Sequence, residues 1–537
     1  MNDLAQARIA MWGSNGKAIS RVLGGLGRRF GLSAAATRLV AITACTFALA
    51  GPAAAVEAAM GSDDARHLLA RTGFGPTWQE IKAVSAMSRE QAVAQLLRDG
   101  APQAAATPAP DWIDEPITPP RAIREMATAE RQAYQRKQGL QTLQLRGWWI
   151  NEMLGTTSPL TERMTLFWHN HFTSSQQKVR YPQLMYRQNL LLREHALGNF
   201  ATLLHAASKD PAMVVYLDAA TNRKGKPNEN FAREVMELFT LGEGHYTETD
   251  IREAARAFTG WSLELDTAEF RNRPFQHDFG QKTVLGRSGN FDGDAVLDIL
   301  LSQPRTAEYI VEKMWREFVS PQPEGAEVRR IAAAFRGSGY DIRTALRGLL
   351  MSPAFWTQDN RAVLVKSPAE FVVGSLRQFD VPVSNPVPVA IAMAGLGQNL
   401  FAPPNVKGWP GGDAWINSST LLARKQFVER LFRTEERMQP GMESMQGGLP
   451  QPVRERIQAR LEAQEGQVRA NDALRRVAPQ PLPMFESRRW LSAFPGDRDA
   501  AIEQVVLAAA PANPVPQEVA GREWLRHLAM DPVYQLK

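Results

Sequence analysis

Residues 209–261 read KDPAMVVYLDAATNRKGKPNENFAREVMELFTLGEGHYTETDIREAARAFTGW, and this stretch decides how the rest of the chain is read. Polar, aromatic and glycine residues interleave here between two clear helix patterns. Asp210-Pro211 is an N-cap followed by proline at the first helical position. NRKGKPN (222–228) is a loop, because Gly225 and Pro227 interrupt any helix and Asn228 can cap the next one. Residues 229–241 have helical spacing, with Phe231, Val235, Leu238 and Phe239 on one face and Gly242 as the stop. Thr247 and Asp250 form a capping box for a further helix to about Phe258. Polar loops pinned between short amphipathic helices are a usual way to hold a surface site.

The same punctuation recurs outward from this stretch. Ser158-Pro159, Ser352-Pro353, Ser367-Pro368 and Asp531-Pro532 repeat the cap-then-proline device, and Glu370 completes a capping box with Ser367. Residues 63–73 and 121–154 favour helix, whereas 101–120 is rich in alanine and proline and reads as an exposed linker. Strand signals are sparse: 282–285 and 261–265 suffice for a small hairpin. The spacing does not fit alternating strand–helix units, so a doubly wound sheet is rejected. The expected fold is mainly α, a body of many short amphipathic helices with long polar loops and at most a small β-hairpin. The expected organisation is a signal peptide (1–55), a main helical domain (56–436), a peripheral linker with a charged helix (437–485), and a C-terminal helical segment (486–537) docked on the body.

NRKGKPNENFAREVMELFTLGEGHYTE resembles the bacterial family catalogued as domain of unknown function 1800. The resemblance extends through WHNHF (168–172), REHALGNF (193–200), AFTGW (257–261), GNFDGD (289–294), PPNVKGWPGG (403–412) and WINSSTLLAR (415–424). It covers roughly residues 65–435, and more faintly the last fifty or so. It implies an exported, mostly helical protein and carries no assigned activity. Relatives are often encoded beside an exported protein of the alkaline-phosphatase and sulfatase superfamily, which implies such a partner.

The chain has 537 residues, 44% hydrophobic and 22% charged, which are ordinary globular values. Its isoelectric point near 9.4 invites a nucleic-acid reading, but the charge is misplaced for that. Residues 1–55 hold Arg8, Lys17, Arg21, Arg28, Arg29 and Arg38 against Asp3, a net of +5. The whole-chain +6 therefore leaves +1 for the remainder, and the basic footprint that a phosphate backbone needs is missing. The leader continues with an apolar run over 39–50 and a small-residue exit, Gly-Pro-Ala-Ala-Ala (51–55), a secretory signal with cleavage expected after Ala55. Arg28-Arg29-Phe30 departs by one place from the twin-arginine pattern, so general secretion is the expected route. Cys45, the only cysteine, lies inside this leader. A lipoprotein box around it is a minority reading, because the apolar run continues past it. Cleavage after Ala55 leaves no disulfide, thiolate ligand or cysteine nucleophile. No transmembrane span is expected in the mature chain.

Several residues are candidates for chemistry. His169 and His171 suit one divalent transition metal, but two residues apart on a helix they do not converge. Both reach one metal only where the helix has ended by Trp168 or where a strand-like turn carries them. Glu234 can turn inward as a bundle-core ligand, while Glu229, Arg233 and Glu237 have the spacing of a solvated salt-bridge ladder. His277 and Asp278 lie outside strong helix patterns and can share a metal or orient a base; His245 is placed likewise. His67, His195 and His205 read as core histidines. Asn290 to Asp294 fails the calcium-loop pattern, and Asp292 or Asp294 reads instead as an N-cap. Arg223 and Lys226, with Asn228, can neutralise an anionic substrate. Asn405, Lys407, Trp409 and Trp415 make a loop that either stacks a glycan or docks a partner, or else plugs its rings into the core. The loops at 168–172, 222–230, 245, 277–278 and 405–417 are expected to meet in one cleft. Two functions follow: a metal-dependent hydrolase acting on an extracellular polymer or its substituents, or a non-catalytic helical scaffold binding a phosphatase-like or sulfatase-like partner or a glycan.

Overall fold

Local capping chemistry explains most of the observed boundaries. In the computed structural model, Asp210 accepts a hydrogen bond from the Met213 amide, Ser352 from Phe355 and Ser367 from Glu370; Asp292 accepts from Ala295 and Asp531 from Val533. Thr247 and Asp250 form the full reciprocal box. Ser158 departs from this scheme: its hydroxyl meets Thr161 Oγ1 at 2.7 Å and caps no amide. The structure describes residues 58–100, 105–264, 267–433, 485–494, 498–516 and 518–537. The leader and nearly all of the expected peripheral segment 437–485 lie outside these residues.

The fold is mainly α, with two small antiparallel two-stranded sheets. Strand β1 (Trp261–Leu263) pairs with β2 (Phe270–Asn272), and β3 (Lys282–Val284) with β4 (Arg287–Gly289). The segments at 261 and 282 therefore each take a different partner. The tight turn at Leu285-Gly286, both with positive φ, closes the second pair locally. The long helix expected over 121–154 is two, Pro120–Glu125 and Thr128–Gly155. The segment before it is irregular, as alanine and proline dictate, but it is not exposed throughout. Trp112 and Ile117 are buried, and Glu152 accepts the amides of Ala106 and Thr107. No helix among the described residues is long and apolar enough to cross a membrane.

The described residues from 59 on form one compact unit with two hydrophobic clusters. The helix Pro159–His171 serves both. Leu160, Met164, Phe167 and Trp168 enter the first, which holds helices from 200–209 to 342–350; Leu166 enters the second, which holds 368–378, 418–433 and the C-terminal helices. Every side chain from Leu160 to His169 is buried, so this helix has no solvent face. The C-terminal segment packs on the body: Trp490 Nε1 donates to Gln378 O at 2.7 Å, and Tyr534 meets Ser375 Oγ at 2.7 Å.

Candidate functional site

The helix carrying WHNHF runs unbroken to His171. The condition under which His169 and His171 can share a metal is therefore not met. His169 is fully buried among Trp149, Phe401 and Trp409, with ring centroids 5.0, 5.3 and 5.8 Å away, and neither ring nitrogen has a hydrogen-bond partner. His171 lies on the other side, against Phe172 and Phe239, with Nε2 3.1 Å from the Phe239 carbonyl. Burial lowers His169 to about 4 and holds His171 well below its ordinary range, so both are neutral rings of the core.

Between these histidines, Asn170 does what the sequence reading did not assign. Its Oδ1 accepts the Trp409 amide at 2.7 Å, and its Nδ2 reaches the Trp409 carbonyl at 3.4 Å. Gly408 makes this approach geometrically open: its φ is +87°, and a Cβ there would sit 2.2 Å from Asn170 Oδ1. WHNHF and KGWPGG are thus two halves of one joint. Trp409 and Trp415 are both buried, so their rings plug the loop onto the core and offer no stacking face to a sugar. Asn405, exposed, accepts the Lys407 amide within its own turn.

Lys407 leans toward Glu237, 4.0 Å away. Glu237 also accepts the Tyr246 hydroxyl at 2.7 Å. The helix here is α only over Asn230–Glu234 and widens to a π-helix over Val235–Thr240, where the Leu241 amide reaches Met236 O. Glu237 consequently leaves the expected ladder, and Arg233 takes Glu248 instead through two 2.7 Å hydrogen bonds, keeping Glu229 at 3.4 Å. Glu234 is half-buried, and burial together with the Glu237 charge raises its pKa. His245 is exposed in the turn before Tyr246.

A second group forms around NRKGKPN. Asn222 is its buried anchor: Nδ2 donates to Ala255 O, Oδ1 accepts the Asn228 amide, and its carbonyl accepts the Gly260 amide. Asn228 Oδ1 accepts the Asn230 amide at the start of the following helix, whose N-cap position is Glu229 rather than Asn228. A tight turn at Gly225 (φ +78°) pairs Arg223 with Lys226 and projects Arg223, Lys224 and Lys226 into solvent. The Lys224 amide donates to Gln276 O at 2.7 Å, which lays this turn beside residues 274–280. There Phe275 and Phe279 are 77% and 58% exposed, the two most exposed large apolar side chains of the described residues. His277 is buried beneath them, with Nδ1 2.8 Å from Thr259 O and its ring edge-on to Phe279. Asp278 is engaged by Arg256 Nε at 2.8 Å, and this contact holds its carboxyl at about 2.

The predicted ligands therefore divide among separate surroundings: His169 and His171 on opposite sides of one helix, Glu234 beside Glu237, and His277 and Asp278 locked to Thr259 and Arg256. Among the described residues, no three His, Cys, Asp or Glu side chains come together to hold a metal ion, and the predicted ligands do not converge on one point. His205 is not a core histidine. It sits half-buried between Asp294 (2.9 Å) and Asp298 (3.1 Å). His67 is a core histidine, bonded to Phe355 O at 2.8 Å. The loops expected in one cleft form two groups, one around Trp409 and Glu237 and one around Asn222 and Phe275. The exposed phenylalanines were legible only as single letters, because their exposure depends on how residues 274–280 fold back over Thr259.

No curated protein and no solved structure matches the chain. A family model does, from residue 67 to residue 536, and its description is "Protein of unknown function (DUF1800)". That span joins the two halves of the Asn170–Gly408 joint to both loop groups and reaches the C-terminal segment, and the chain is a member of the DUF1800 family.

Proposed function

We propose that this protein is an exported, non-catalytic scaffold that docks an acidic protein surface through its 222–228 and 274–280 loops. The observation that carries the reading is the exposure of Phe275 and Phe279 beside Arg223, Lys224 and Lys226. Interface energy concentrates in aromatic anchors, and a surrounding field of one sign steers a partner of the opposite sign. None of the three cations makes an ion pair among the described residues. Beneath them, Asn222, Thr259 and Arg256 hold the loops rigid, which limits the ordering cost of binding. The partner that fits the family resemblance is an exported protein of the alkaline-phosphatase and sulfatase superfamily. The test is binding of the purified protein to that partner, with and without Phe275→Ala and Phe279→Ala. Each substitution is expected to weaken binding about thirtyfold, the size of a hot-spot loss near 2 kcal/mol. Unchanged affinity in the double variant overturns the docking face.

One observation favours a hydrolytic reading. Glu234 and Glu237 are neighbouring carboxylates with different surroundings: Glu237 is held by Tyr246 and Lys407, and Glu234 is raised by burial. Such a pair can divide acid and base roles on an extracellular polymer. Polymer hydrolysis lost in Glu234→Gln with folding intact establishes it. Elemental analysis of protein never exposed to chelator checks the metal branch, and one stoichiometric transition metal per chain contradicts the scaffold reading.

A further inference from the structure

The Trp409 loop closes over a cleft that neither function above uses. The cleft is about 80 Å3 and lies between the helices Pro159–His171, Pro304–Phe318 and Pro368–Gln378. Arg163, Arg316, Glu317, Glu370, Trp409 and Lys537 line it. Behind it a much smaller chamber shares Glu370 and Lys537 and adds Arg66 and Lys366. Arg316 and Gly412 are exposed at the rim.

The charges here do not balance. Arg66, Arg163, Lys366, Arg424 and Lys537 are all buried. The carboxylates acting on them are Glu370, which is buried, Glu317, which is one-third exposed, and Asp63 near Arg66. Arg163 bonds Glu317 and lies 2.8 Å from Glu370, while Lys537 bonds Glu370 and lies 3.9 Å from Glu317. Five buried cations therefore meet three side-chain carboxylates, and Arg163 and Lys537 share two of these. Arg424 bonds the Lys366 carbonyl and Gln535 instead. Lys366 has no carboxylate partner and rests over the Tyr534 ring at 4.1 Å. Burial lowers both lysines, Lys366 well below its ordinary value.

Two donors at the cleft are also unpartnered. Among the described residues, Arg163 Nε and Trp409 Nε1 find no hydrogen-bond partner, although both residues are more than nine-tenths buried. A buried donor without an acceptor is costly, and two of them beside surplus cations call for one anionic acceptor. A water occupies about 30 Å3, so the cleft has room for two or three waters or one small oxyanion, and none for a sugar ring or a nucleotide.

We propose that this cleft binds one phosphate or sulfate group, with Arg163, Lys537 and the Trp409 indole N–H as donors and Arg316 as the rim charge. The anion supplies the acceptor that the two donors lack and part of the negative charge that the buried cations as a group lack. The group is either free inorganic anion or the terminal ester of a larger molecule reaching in past Arg316.

Isothermal titration of the purified protein with inorganic phosphate, inorganic sulfate and phenyl phosphate tests this. Saturable binding of one anion per chain is expected, with chloride at equal ionic strength giving none. Preference for phenyl phosphate over phosphate assigns the site to an ester, and the reverse to the free ion. Trp409→Phe keeps the ring and removes the N–H, and is expected to weaken binding about tenfold. Lys537→Met removes a cationic donor of the lining and is expected to weaken binding too. Arg316→Ala, at an exposed position that leaves the interior intact, is expected to weaken binding as well. Absence of a saturable signal in the unaltered protein, or binding unchanged in all three variants, overturns the proposal.

Discussion

Replacing Gly408 by alanine tests the joint between WHNHF and KGWPGG, and its cost can be worked out from the structure. Gly408 has φ +87°, and placing a side chain in that region costs about 1–2 kcal/mol. The added Cβ would lie 2.2 Å from Asn170 Oδ1 and 2.7 Å from the Asn170 carbonyl oxygen. The second atom is helix backbone and cannot swing aside, so the loop must move off the helix. That movement breaks both hydrogen bonds between Asn170 and the Trp409 backbone, about 1 kcal/mol each. The expected loss is about 3–4 kcal/mol, measured by urea denaturation followed by both tryptophan fluorescence and far-UV circular dichroism. Asn170→Ala is expected to cost about 1–3 kcal/mol, because the Trp409 amide loses its acceptor. In the Asn170→Ala background the Gly408→Ala penalty shrinks but does not vanish, since the backbone contact remains. A Gly408→Ala loss under about 1 kcal/mol refutes the reasoning.

Further predictions concern the buried ionisable groups and the loop support. His169 is held at about 4 by burial, below the ordinary 6.5 of the unfolded chain. Because the buried ring resists protonation, stability that is complete above pH 6.5 is lost as pH falls toward 4, about 3 kcal/mol in all. His169→Leu should remove that part of the acid slope while leaving stability at pH 7 equal or higher, as read from denaturation midpoints across pH. Burial alone would raise Glu370, but Arg163 and Lys537 overturn it and hold the carboxyl at about 2. Its contribution is present above the ordinary carboxylate value of 4.5 and fades as pH falls toward 2. Glu370→Gln should cost about 3–5 kcal/mol at pH 7, because Arg163 and Lys537 lose their buried partner. Arg256→Ala should release Asp278 and speed hydrogen exchange over residues 274–281, with a smaller loss of partner binding than either phenylalanine substitution.

The parts of the fold written in local chemistry were legible. Asp210, Thr247, Ser352, Ser367 and Asp531 act as caps within three residues of themselves, so a linear reading finds them. The loop at 222–228 followed from Gly225 and Pro227 for the same reason. The π-helix at 235–240 was not legible, because residues 229–241 keep an α-like apolar spacing and the wider turn comes from packing against neighbouring helices. Glu237 and Arg233 changed partners as a result. Asn170 sits between two histidines that attract attention, and its partner lies 239 residues away at Trp409. Glu370 was visible as a capping residue, but its second carboxylate oxygen meets Arg163 and Lys537, contacts that no spacing encodes. The histidine-rich WHNHF invites metal ligation, yet an unbroken helix through His171 sends its two rings into different parts of the core.

The most direct test of the scaffold reading is the affinity between the purified protein and the exported alkaline-phosphatase-superfamily partner, measured at low and high salt. The account predicts saturable binding that weakens with salt through a slower association rate, and that is lost when Phe275 and Phe279 are both alanine. Binding that is absent, or that survives the double substitution with the same affinity and the same salt dependence, contradicts it.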